Sequence, residues 1–339
     1  MTKTKGLKRV LAATALAALS AGQAAAQDVT FRLAHWLPPT HPVQTMGMTE
    51  WMDAIKAASD GRIDFQVFPA QQLGAAPDHY DMTRDGIADI GYVNPGYQAG
   101  RFPIYSLVEI PFHMDNAPRG AKAMHEWYAP IAEEEMSDVK FCLANPHDPG
   151  TIHSKTEVKL PADIQGKSVR PAHATMARFV SMLGGAPVQV PAPEAREAIA
   201  NGTADAITFP WGSIYIFGID SETKHHLDMP FYISAQLMLL NKAKYDGLPD
   251  DLKKVIDDHC TPEWSQKFSE GWAAEEASGR DKMIESGEHT LYAPTEEEVQ
   301  AWRDAAAPLL EQWTSDVGEG ADGYYQGYVD ALEANDAKF

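Results

Sequence analysis

Two stretches of the chain end in the same way. Residues 85–96 read DGIADIGYVNPG, and residues 201–212 read NGTADAITFPWG. Both follow the frame [D/N]-G-x-A-D, then apolar residues, then a proline and a glycine. In each, glycine closes a helix, the aspartate opens a buried strand, and proline stops that strand because it cannot donate to a sheet ladder. A chain that writes this unit twice holds two lobes of one architecture.

The segments upstream of each copy agree. Residues 28–36 and 61–70 have strand character, residues 43–58 carry helical apolar spacing, residues 77–85 form a short helix, and 88–96 is the next strand. The second set is strand 166–173, helix 174–184, strand 186–192, helix 193–202 and strand 204–212. Each is β-α-β-α-β, the order of a parallel sheet flanked by helices. Residues 248–287 are long and amphipathic, with a possible break at Pro262. A helix of this length would run about 55 Å and cross both lobes. Thr295 and Glu298 form a capping box at the start of a further helix.

Composition narrows the function. A length of 339 residues exceeds one ordinary core. Hydrophobic residues make up 44% of the chain and are well spread, which is globular usage. The formal net charge of −20 argues against nucleic acid or anionic lipid as a partner. Residues 1–26 read as a secretory signal peptide: Lys3, Lys5, Lys8 and Arg9 precede the apolar run 10–19, and small residues follow. The expected location is therefore the bacterial periplasm. Cys142 and Cys260 are the only cysteines; a disulfide and two buried thiols both remain open.

Enzyme and cofactor motifs are absent or misplaced. GEGADG (318–323) follows a helix rather than a strand, so it is a loop and not a dinucleotide site. There is no H-E-x-x-H and no G-x-S-x-G. His225 and His226 are adjacent, do not share a helix face, and read as a solvated loop. No cofactor or metal is expected.

In parallel open sheets, ligands sit beyond the carboxyl ends of the strands. Those ends carry His35-Trp36, Asn94 to Tyr97, Arg170 to His173, and Phe209 to Gly212. Arg170 interrupts a strand where it would face the cleft. A planar guanidinium there suits a carboxylate, since its paired donors are fixed and its charge survives desolvation. Trp36, Tyr97, Phe209 and Trp211 would wall the cleft and favour a flat apolar ligand.

FPAQQLG (68–74), RDGIADIGYV (84–93), residues 163–206 and LLNKAKYDGLPDDLKKVI (239–256) resemble the solute-binding subunits of TRAP (tripartite ATP-independent periplasmic) transporters, the DctP family. The resemblance runs along essentially the whole chain after the leader. It implies a two-lobed periplasmic binding protein fold, α/β, with a mainly parallel sheet in each lobe and a long helix across both. Lobe I would hold residues 27–147 and about 235–275, and lobe II residues 148–234 and about 276–339. It also implies a monomer that is no enzyme and that hands a small organic carboxylate to membrane permease subunits.

The family's carboxylate-holding arginine falls on Arg170. Where sialic-acid-binding members carry arginine this chain has Gly150, and where many carry asparagine it has Phe209. NPGYQAGRFPIYSLVEIPF (94–112), HDPGTIHS (147–154) and FPWGS (209–213) are similar to the subgroup that takes aromatic carboxylates such as benzoate and hydroxybenzoates. His35, His147 and His173 would then offer polar contacts to a ring hydroxyl, with Asn94, Gly150 and Tyr232 completing the set. A small aliphatic 2-hydroxy or 2-oxo acid, another polar solute, and a role as a sensor's periplasmic partner stay open.

Overall fold

The computed structural model describes residues 28–339; the expected signal peptide lies outside the described residues. Two sheets, each flanked by helices, form two lobes. The first has the order β2-β1-β3-β10-β4, with β1 (Val29–Ala34), β2 (Ile63–Phe68), β3 (Ile90–Val93), β4 (Val139–Pro146) and β10 (Ala235–Asn241). The second has the order β11-β9-β5-β8-β6-β7, with β5 (Thr151–Ser154), β6 (Ser168–Arg170), β7 (Ala186–Pro187), β8 (Ala206–Phe209), β9 (His225–Leu227) and β11 (Thr290–Tyr292). The β1-β2-β3 and β6-β7-β8 groups are parallel, as the repeated β-α-β-α-β order requires. One strand in each sheet, β10 and β5, runs antiparallel to its neighbours.

The repeated aspartate has one structural role in both lobes. The Asp89 amide donates to Arg32 O at 2.9 Å, and Arg32 N donates back to the Asp89 carboxylate at 2.8 Å. Asp205 N donates to Ser168 O at 2.7 Å, and Ser168 N returns to the Asp205 carboxylate at 3.0 Å. Each aspartate therefore pins the start of a third strand against the first strand of its lobe. Gly86 and Gly202 precede them with φ of 73° and 74°, the left-handed value at which glycine carries no Cβ penalty. The side chain thus fixes the parallel register, and with it the height of each strand end.

The chain passes from the first sheet to the second between β4 and β5, returns between β9 and β10, and crosses again between β10 and β11. The first two crossings bind each other. His147 N donates to Ser234 O, and Ser234 N donates to the His147 ring at 2.8 Å. Gly150 and the Phe231-Tyr232 segment exchange two further backbone bonds.

The helix expected across both lobes is shorter than the pattern suggested. It breaks at 258–261 and runs as Pro262–Ser286, 25 residues and so about 38 Å. Thr261 caps its first turn and Pro262 sits where no amide is needed. It still reaches both lobes. Near its start Ser265 accepts from Ala144 N in β4, and Ser269 donates to Asn145. Near its end Arg280 pairs with Asp228 beyond β9 at 2.5 Å. Gly212 and Gly279 meet backbone to backbone, where a Cβ on Gly279 would lie 2.3 Å from Gly212 N. The final helix, Ala321–Ala334, lies on the Ala117–Glu135 helix beside the first sheet.

Two other points differ from the sequence expectations or resolve them. His225-His226 is not a solvated loop but strand β9, paired on both sides, with His226 buried. Cys142 and Cys260 form a disulfide that ties β4 to the segment just before the long helix, closing 118 residues of chain. So large a loop restricts the unfolded chain strongly. Reduction, or Cys142→Ala with Cys260→Ala, should cost about 2–5 kcal/mol in denaturant unfolding. Equal midpoints with and without a thiol reductant would show that the bridge does not secure the fold.

Candidate ligand site between the two sheets

Four strand ends meet at one small cavity, as the parallel order predicts. Trp36 follows β1, Asn94 and Tyr97 follow β3, Arg170 ends β6 and Phe209 ends β8; all five line it. His147 and Tyr232 join from the first two crossings. In this form the cavity leaves only about 30 Å³ for the centres of water-sized groups.

Arg170 is the unusual group. It is only 1% exposed, yet no carboxylate pairs with it among the described residues. Its Nε donates to Val190 O at 3.0 Å, and its guanidinium lies 5.4 Å from the centre of the Phe209 ring. Nη2 has no partner in the protein. A buried cation satisfied only by one carbonyl and one ring face is costly.

Three more donors on the same cavity lack partners. They are Trp36 Nε1, the Tyr232 hydroxyl and His41 Nε2. His41 Nδ1 accepts from Val43 N at 3.2 Å, so Nε2 carries the hydrogen. Burial pushes the His41 ring down to about 3, which keeps it neutral, and pushes the Tyr232 phenol up, which keeps it protonated. Four donors, one of them charged, converge among aromatic walls. The arrangement is complementary to an anion on a flat apolar body.

Other expected residues serve different purposes. The imidazole nitrogens of His147 are both engaged, one accepting from Ser234 N and the other bonded to Asp148 O at 2.6 Å. His173 caps the Ala174–Met182 helix by accepting from Met176 N, and its Nε2 bonds to Ile233 O. Neither ring has a nitrogen left for a ligand hydroxyl. His35 is buried away from the cavity, its pKa lowered to about 4 chiefly by burial. Trp211 turns into the second sheet and meets the His153 ring edge-on at 5.1 Å. Gly150 lies under the wall, where a Cβ would come within 2.8 Å of Phe209 O and 2.9 Å of the Tyr232 ring. An arginine there has no room.

Sequence reasoning missed His41 and Trp272. His41 sits in the loop after β1, so the strand-end rule extended by a few residues would have reached it. Trp272 comes from the long helix, whose buried face mixes Phe268, Trp272 and Met283 with Ser265, Ser269, Glu276 and Gly279. A face so mixed in polarity does not announce which side points inward.

Arg170→Met replaces an unpaired buried charge with an apolar side chain of similar reach. Unliganded, this variant should be more stable than the native protein by about 1–3 kcal/mol. A melting temperature at or below the native value in scanning calorimetry would contradict the account of Arg170 as an uncompensated charge.

Comparison with known proteins identifies the family. A TRAP solute-binding protein from Rhodoferax ferrireducens T118, solved with copurified benzoate, is 30% identical, with a TM-score of 0.85 over 91% of this chain and 98% of that one. A marine metagenome TRAP solute-binding protein solved with 3-hydroxybenzoate is 27% identical, with a TM-score of 0.85 over 91% and 99%. The 2,3-diketo-L-gulonate-binding periplasmic protein of Escherichia coli (strain K12) is 23% identical over 334 residues, 94% of this chain and 97% of its own length. Residues 33–316 match bacterial extracellular solute-binding protein, family 7. The chain therefore belongs to the DctP family of TRAP solute-binding proteins, which carry solutes for transport and are not enzymes.

Proposed function

We propose that this protein captures a small aromatic carboxylate in the periplasm and delivers it, as a monomer, to TRAP membrane permease subunits. The observation that carries this reading is the set of four unpartnered donors around Arg170 in an aromatic cavity. The ligand carboxylate meets Arg170, supported by Tyr232, Trp36 and His41. Its ring lies among Trp36, Tyr97, Phe209 and Trp272. The bound benzoate and 3-hydroxybenzoate of the two similar structures favour the same class. The lack of room for an arginine at Gly150 weighs against sugar acids.

Capture follows from closure of the two lobes along the division given above, with the tail helix carried by lobe I. In the open form the guanidinium is hydrated. Closing removes that water and strengthens the ion pair as the dielectric falls. An unliganded closed form bears the cost of the lone charge, so ligand selects the closed form by its higher affinity for it. Tyr97, whose hydroxyl accepts from Ala192 N across the cavity at 3.0 Å, holds the two sides together on closure.

A melting screen of the mature protein against benzoate, hydroxybenzoates, mandelate, benzoylformate, lactate, pyruvate, C4-dicarboxylates and uronates tests the ligand class. Arylcarboxylates should raise the melting temperature most; stabilisation by aliphatic or sugar acids alone would overturn the aromatic assignment. Arg170→Ala should weaken the best ligand by about a hundredfold or more. Tight binding retained in that variant would rule out Arg170 as the carboxylate clamp.

A further inference from the structure

A second buried charge sits one side chain behind the cavity wall. Glu276, on the long helix, is 2% exposed. Its Oε2 accepts from Gly212 N at 2.5 Å and from Ser213 N at 3.1 Å. Its Oε1 accepts from Trp272 Nε1 at 2.6 Å and from the Ser213 hydroxyl. All four donors are neutral, and no cation pairs with this carboxylate among the described residues. Ser213 and Trp272 themselves line the ligand cavity. Tyr232 lies within electrostatic reach of both Arg170 and Glu276.

Without ligand, this buried region holds one cation and one carboxylate. A bound anion makes the region net negative in a low-dielectric setting. A proton on Glu276 relieves that excess, and the hydrogen bonds allow it. Three of the four donors are N–H groups that cannot reverse. The Ser213 hydroxyl can: it donates to the carboxylate and accepts from the carboxylic acid. Once it accepts, its own hydrogen is free to turn into the cavity.

We propose that Glu276 takes up a proton when an anion binds beside Arg170, and that Ser213 relays the change by turning its hydroxyl toward the ligand. The inference rests on the carboxylate site described above. One proton moves from solvent to Oε1, and no covalent bond of the ligand changes. Burial raises the Glu276 carboxyl to about 7 against the pull of its donors. Four histidines face the same region and do not compete. His41 and His147 pack edge-on to Trp272, and His153 and His226 pack on Trp211; burial holds the first three near 3 and the last near 2. The Tyr232 phenol is pushed up, away from neutrality. On the same helix, Arg280 pairs with Asp228 and Lys282 with Glu275.

The sign is fixed. The bound anion raises the proton affinity of Glu276, so affinity falls as pH rises above about 7 and levels off below it, where Glu276 is already protonated. Titration calorimetry with benzoate at about pH 7.5, in phosphate and in Tris, reads the uptake as a buffer-dependent binding enthalpy. A difference equivalent to several tenths of a proton is expected. Glu276→Gln should bind within about threefold of native, with no buffer dependence and a flat pH profile. Ser213→Ala should weaken binding about three- to tenfold while keeping the uptake. Equal enthalpies in both buffers for the native protein, or unchanged uptake in Glu276→Gln, would overturn the proposal. If Glu276→Gln does not fold, the loss of the native buffer dependence on going down to about pH 6 decides instead. No heat with benzoate at all would remove the aromatic carboxylate assignment, and this inference with it.

Discussion

The lone guanidinium of Arg170 sets the terms for the rest of this molecule. A cation sealed from water without an acid beside it is stable only if the surrounding fold holds it there. That holding is visible on every side. The Val190 carbonyl takes one donor, the Phe209 ring covers one face, and β6 fixes the backbone beneath it. None of these is an anion in contact with the guanidinium, so Nη2 is left without a direct partner. Solute capture is the natural resolution of that deficit, and it explains why a rigid α/β scaffold on each side of the cavity is needed.

Much of this was legible in the sequence because it rests on local rules. The G-x-A-D repeat marked two equivalent strand starts, and the structure gives Asp89 and Asp205 the same reciprocal bonds. The strand-end rule placed Trp36, Asn94, Tyr97, Arg170 and Phe209 at one cavity. It failed where a turn redirects a side chain. Trp211 lies two residues beyond β8, past Pro210, and faces the second sheet instead. His147 and His173 looked like ligand contacts because they flank strand ends, yet both are spent on backbone groups. Only the tertiary path of the return crossing, which supplies Ser234 N and Ile233 O, decides that. Pro262 marked the break before the long helix, and it stands in that helix's first turn behind the Thr261 cap.

Several buried histidines share one mode of use: a ring nitrogen makes a hydrogen bond that orients another part of the frame, as at His41, His147, His153 and His173. His153, His226 and His289 form a continuous chain from the Phe209 carbonyl outward, at 3.0, 2.7 and 2.8 Å. If His153 donates to that carbonyl, the direction of every other hydrogen in the chain follows. Burial lowers the pKa of all three. Their contribution to stability is complete above the ordinary histidine pKa of about 6.5 and declines as acid charges the unfolded chain first.

The reciprocal bonds between the first two crossings have a mechanical meaning. His147 and Ser234 bind each other through both backbone and ring, and Gly150 repeats the tie a few residues further along. Two strands riveted at two points cannot slide past one another. They can still twist together about their common length. Such a ribbon acts as a torsion bar: stiff in shear, compliant in rotation. Together with the long helix, the ribbon keeps the two sheets from shearing across the cavity that Arg170 lines.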